Sequence, residues 1–87
     1  LSKVTIYTTD YCPYCHAAKA FLKDKGIKYE EIDITTDQRT KRRVMEELGW
    51  KTVPIILING NLIGGYEDLR ALDREKKLDE MLLTTTD

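Results

Sequence analysis

Cysteine is scarce in this chain: there are two in 87 residues, both within Cys12-Pro13-Tyr14-Cys15. A secreted mini-protein typically spreads several along its length to close long loops, so a disulfide-stapled scaffold is excluded. The loop between Cys12 and Cys15 is so short that a bridge there restrains the unfolded chain little, which argues against a structural disulfide. Two Cys and one His also fall short of the four or so ligands of a self-contained zinc site. Proline (2) and glycine (5) are sparse, which excludes disorder throughout. No apolar run approaches the roughly 20 residues needed to span a bilayer. Neither sign of charge dominates, with 14 Lys and Arg against 15 Asp and Glu and a net charge of −1. That balance speaks against a general nucleic-acid or anionic-membrane binder. The opening Leu1-Ser2-Lys3 lacks the charged, apolar and small-residue succession of a secretory signal.

What is present suits one compact domain over residues 1–87, with 41% hydrophobic and 33% charged residues. Val4 to Thr8 alternates in a β-branched stretch and reads as a strand. Pro13 starts a helix, because its missing N–H costs nothing at the first helical position. Tyr14, Ala17, Ala18, Phe21 and Leu22 recur at helical spacing, and Gly26 follows as a C-cap. Ile27 to Ile34 reads as a second strand, giving a βαβ unit with a parallel strand pair. Thr36 or Asp37 caps a second helix carrying Val44, Met45 and Leu48 on its core face, and Gly49 ends it. Ile55 to Ile58 is apolar throughout, as expected of a central strand covered on both faces. Asn59-Gly60 is a two-residue hairpin signal, with Leu62-Ile63 returning. Helical spacing resumes with Tyr66, Leu69 and Leu72, and again with Leu78, Met81 and Leu82. The tail Thr84–Asp87 is expected to fray. The order βαβ, helix, β-hairpin, helix predicts an α/β fold with a small mixed sheet and helices on both faces.

The dithiol carries the chemistry. Thiol–disulfide exchange needs a thiolate. Cys12 precedes Pro13 and so stands at a helix N-terminus, where free N–H groups and the helix dipole favour an anion. Cys15 lies one turn deeper on the same face. Cys12 is therefore the expected nucleophile and Cys15 the resolving thiol, in a reducing, cytoplasmic type of compartment. His16 reads as a solvent-facing bystander.

Tyr11-Cys12-Pro13-Tyr14-Cys15, then Thr52-Val53-Pro54, then Gly64-Gly65-Tyr66-Glu67-Asp68-Leu69 are three separated motifs in one order. Through them the chain resembles the glutaredoxins, of the dithiol type, over nearly its whole length. The resemblance implies a thioredoxin-like fold with a four-stranded sheet. It implies a glutathione–disulfide oxidoreductase that works as a monomer on disulfide-containing proteins, with glutathione as co-substrate, no metal, and glutathione reductase as an indirect partner. Carried over, Cys12 takes the glutathionyl group and Tyr14 lines the groove. The Val53 backbone pairs with the glutathione cysteinyl backbone, Thr52 flanks it, and Pro54 is cis. Glu67 and Asp68, at a helix start, receive the γ-glutamyl end; by themselves they also read as favourable charge at a helix N-terminus.

Two positions depart from the pattern. Many glutaredoxins have Lys where this chain has Thr9, and Gln where it has Ile55. The cations Arg39, Lys41, Arg42 and Arg43 then either replace the missing charge at a glutathione carboxylate or form a solvated helix face. Leu48-Gly49-Trp50 is similar to the glutaredoxin-like hydrogen donors of ribonucleotide reductase, which draw on thioredoxin reductase; Trp50 also suits a core edge. A third possibility implied by the family is an iron–sulfur carrier bridging two chains, against which Pro13 weighs.

Overall fold

The computed structural model describes residues 3–83; the tail Thr84–Asp87 lies outside them. Eight elements follow in order: β1 (Val4–Thr8), α1 (Pro13–Asp24), β2 (Glu30–Asp33), α2 (Gln38–Leu48), β3 (Ile55–Ile58), β4 (Asn61–Gly64), α3 (Tyr66–Arg74) and α4 (Leu78–Leu83). The sheet order is β2-β1-β3-β4. β1 and β2 are parallel, while β1–β3 and β3–β4 are antiparallel. The sheet is therefore mixed, in the thioredoxin-like arrangement.

Register decides which residues meet. Val4 pairs with Ile58 and Ile6 with Ile56, so these four turn to one face of the sheet. There they pack with Ala18 and Leu22 of α1, Leu69 of α3 and Leu78 of α4. Ile55, fully buried, has the opposite parity and belongs to the other face, with α2 and its buried Val44. That double burial accounts for the unbroken apolar run of β3. Asn59 and Gly60 both have positive φ (53° and 81°), as a two-residue hairpin of the twist-matched kind requires.

Two boundaries differ from the sequence expectation. The second strand begins at Glu30, not Ile27. The Ile27 N–H donates to the Leu22 carbonyl at 2.9 Å, and Gly26 sits at φ 73°. Ile27 is thus spent closing α1 before the chain extends. The last helical stretch is two helices. Lys77 N–H closes onto Leu72 O at 2.9 Å across Lys76, which takes φ 61° without being glycine. Of the two candidate caps for α2, Asp37 acts: its carboxylate accepts the Thr40 N–H at 3.0 Å.

Candidate active site

β1 runs into the turn at Asp10-Tyr11, which delivers Cys12 to the head of α1. Cys12 is the N-cap, with extended backbone, and its sulfur accepts the Cys15 N–H at 3.1 Å. The same sulfur donates its S–H to the Val53 carbonyl at 3.5 Å. The Cys12 N–H points back to the Thr9 carbonyl at 3.4 Å. Cys12 is 7% exposed and Cys15 is 0%, and both thiols are free. An incoming disulfide thus meets Cys12 first, with Cys15 beneath it.

Burial is the main cause that pushes the Cys15 thiol up from 9.0 to about 12, and the hydrogen bond and charge of Cys12 add to it. The Thr9 backbone N–H and the Lys19 charge oppose the shift. The folded protein therefore holds this proton more tightly than the unfolded chain does. Stability from this source is complete below pH 9.0 and is lost as pH rises from there toward about 12. Beyond the change seen in Cys15→Ala, the reduced protein is expected to lose up to about 1.4 kcal/mol per pH unit in that window. Urea unfolding of both proteins on either side of pH 9.0 checks this. Parallel losses in the two would show that Cys15 does not hold its proton in this way.

A groove of about 390 Å³ opens beside the dithiol. It collects all six residues expected to bind a ligand: Tyr14, Thr52, Val53, Pro54, Glu67 and Asp68. The Val53–Pro54 peptide is cis, as the family pattern implied. Asp68 accepts the Gly65 N–H at 3.0 Å and so holds the start of α3 at the groove wall.

Trp50, Gly65 and Tyr66 line the groove too, although neither spacing nor motif assigns them to a ligand site. Tyr66 stands 6.2 Å from Tyr14, centroid to centroid, with the rings tilted. Its hydroxyl accepts from Arg70 at 2.7 Å. Helical spacing assigned Tyr66 to a core face, and only the approach of α1 to α3 reveals its second role. The Trp50 indole N–H is buried without a partner among the described residues.

Other expectations resolve differently. Arg39, Arg42 and Arg43 line a separate concavity with Gln38 and Glu46, and they are not part of the groove wall. Thr9 is buried at 2% exposure and is likewise absent from that wall. His16 is exposed, yet its Nε2 bonds the Asp10 carbonyl at 3.0 Å, so that nitrogen carries the hydrogen. Among the described residues no helix is long and apolar enough to cross a membrane, and no group of three or more His, Cys, Asp or Glu is placed to hold a metal.

Comparison with known proteins agrees with this geometry. The glutaredoxin family model matches residues 4–63. Glutaredoxin 3 of Escherichia coli K12 is 42% identical over 82 residues, covering 94% of this chain and 99% of its own. A glutaredoxin from Brucella melitensis, solved in solution, superposes with a TM-score of 0.81 at 42% identity, over 92% of this chain and 87% of that one. A buckwheat glutaredoxin–glutathione complex gives a TM-score of 0.87 at 26% identity, over 93% and 76% of the two chains. With a matching fold, a dithiol at a helix head and relatives aligned along nearly the whole chain, this protein belongs to the glutaredoxin family of redox thiol–disulfide proteins.

Proposed function

We propose that this chain is a glutathione-dependent thiol–disulfide oxidoreductase acting as a monomer in a reducing, cytoplasmic compartment. One observation carries the reading: a single groove joins the Val53 backbone, whose carbonyl meets the Cys12 sulfur at 3.5 Å, to the start of α3. A peptide-like thiol laid along it has its sulfur at Cys12 and its backbone at Val53, in the manner of an added strand. The first-turn N–H groups of α3 suit a carboxylate at the γ-glutamyl end, and the Asp68 carboxylate suits the ammonium. The buckwheat relative, whose structure is a glutathione complex, supports this assignment.

The residues then work in sequence. Cys12 as thiolate attacks one sulfur of a protein disulfide or a glutathione mixed disulfide and expels the other as a thiolate, which takes a proton. Ionising Cys12 also ends its S–H bond to the Val53 carbonyl, which leaves that oxygen for a ligand N–H. The new mixed disulfide on Cys12 is cleared by glutathione or by Cys15. When Cys15 attacks, it displaces the bound thiol and forms the Cys12–Cys15 disulfide; two electrons pass to the substrate. Glutathione then re-reduces the pair, and glutathione reductase recycles the oxidised glutathione.

Comparing electron donors tests this. Turnover on a disulfide-containing protein is expected with glutathione plus glutathione reductase and only weakly with thioredoxin reductase. Turnover with thioredoxin reductase alone would instead identify a hydrogen donor of the ribonucleotide reductase kind.

A further inference from the structure

One polar cluster lies behind the dithiol and takes no part in the groove. Lys19 is on α1, one turn beyond Cys15 and on the same helix face. Its ammonium donates to Glu31 Oε2 of β2 at 2.9 Å. The same oxygen accepts the Thr8 hydroxyl of β1 at 2.7 Å. Three elements therefore converge on one carboxylate oxygen. The pair lies at the surface with side chains 23% and 33% exposed, anchored on Thr8, which is 1% exposed. Thr8 is the last residue of β1, and the turn that follows leads to Cys12 at the head of α1. The cluster is thus joined to Cys15 along α1.

We propose that Lys19, positioned by Glu31 and Thr8, is the cation that supports Cys15 as a thiolate in the resolving step. This inference rests on the dithiol reading above. The step needs such support because Cys15 is fully buried and must become an anion to attack. The Cys15 S–H proton passes to solvent, and the Cys15 thiolate attacks the Cys12 sulfur of the mixed disulfide. The old S–S bond breaks, the Cys12–Cys15 bond forms, and the departing thiolate takes up a proton. Lys19 neither gains nor loses a proton; its fixed charge offsets the anion while that anion exists. The bond to Glu31 raises the affinity of Lys19 for its own proton and so keeps it charged. The titratable groups that act on Cys15 are Cys12 and Lys19, and those that act on Lys19 are Glu31, Tyr29 and Cys15. A carboxylate this well bonded to Lys19 and Thr8 is held below its usual range, so Glu31 is a positioning residue and a poor proton acceptor.

Dithiobis(nitrobenzoate) separates the two steps in a stopped-flow trace. A first, bimolecular release of coloured thiolate reports Cys12. A second, unimolecular release reports attack by Cys15. Lys19→Gln is expected to lower the ratio of second to first rate and to displace the pH profile of the second phase to higher pH. The expected loss is about threefold per pH unit of displacement, because nucleophilicity partly offsets the smaller thiolate fraction. Lys19→Arg restores the ratio, and Glu31→Gln shows part of the loss. Lys19→Met, which keeps the aliphatic stem, carries the test should Lys19→Gln lose its fold by circular dichroism. A second phase with unchanged ratio and pH profile in the uncharged variants overturns the proposal. Cys15→Ser checks the underlying reading separately: if it still shows two phases, the dithiol assignment fails whatever Lys19 does.

Discussion

Cys12→Ser is expected to abolish disulfide exchange, lowering turnover by at least about a hundredfold, while the fold survives. Serine keeps a hydrogen-bonding group at the N-cap of α1, where the Cys12 sulfur now accepts the Cys15 N–H. Serine is itself a favoured N-cap, so helix α1 does not lose its start. What vanishes is the only sulfur that an incoming disulfide meets at the surface, since Cys15 is fully buried. Cys15→Ser is the informative partner. It is expected to keep the release of glutathione from mixed disulfides and to lose efficient reduction of disulfides that need the second thiol. Steady-state assays on one substrate of each kind distinguish the two. If Cys12→Ser retains the activity that Cys15→Ser lacks, the roles of the two thiols are exchanged.

Gly64→Ala is expected to be the most damaging of the glycine substitutions, at about 2–4 kcal/mol of stability. Two causes act together. Gly64 closes β4 at φ 123°, a region that residues with a side chain rarely enter. A Cβ built there would lie 2.5 Å from Asp68 Oδ2 and 2.7 Å from its Cγ. Asp68 would have to move, and with it the bond to the Gly65 N–H that starts α3. Gly26→Ala is the control: φ is also positive, at 73°, but a Cβ there meets no heavy atom within 4 Å. It is expected to cost about 1 kcal/mol. Urea denaturation gives both numbers. Equal costs would mean that the Asp68 contact carries no weight. Adding Asp68→Ala to Gly64→Ala should return part of the loss, because the two closest contacts are then gone while the 3.1 Å approach to the residue-68 Cβ and the strain of φ stay. The Michaelis constant for glutathione should rise in Gly64→Ala, since Asp68 belongs to the groove wall.

The features readable from sequence alone are those decided within a few residues. Pro13 opens α1, Asp37 caps α2, Asn59-Gly60 turns the hairpin, and Cys12 falls at a helix head, because capping and turn bonds join near neighbours. The run Ile55–Ile58 marked a strand buried on both faces for the same local reason. The groove residues Thr52, Val53, Pro54, Glu67 and Asp68 were legible by family pattern; nothing in their own spacing points to one site. Tertiary structure decided the rest. Tyr66 and Trp50 joined the groove only when α3 and the segment after α2 came up against Tyr14. Arg39 and Arg42 carry charge that matched a missing Lys on paper. The helix turns that charge toward a different concavity, because Val44 must face the sheet. Lys19 and Glu31, twelve positions apart, met because β2 pairs in parallel beside β1 under α1. Such pairings depend on how faces pack over the whole sheet, and the sum of many weak burial terms that sets them leaves no mark at any single position.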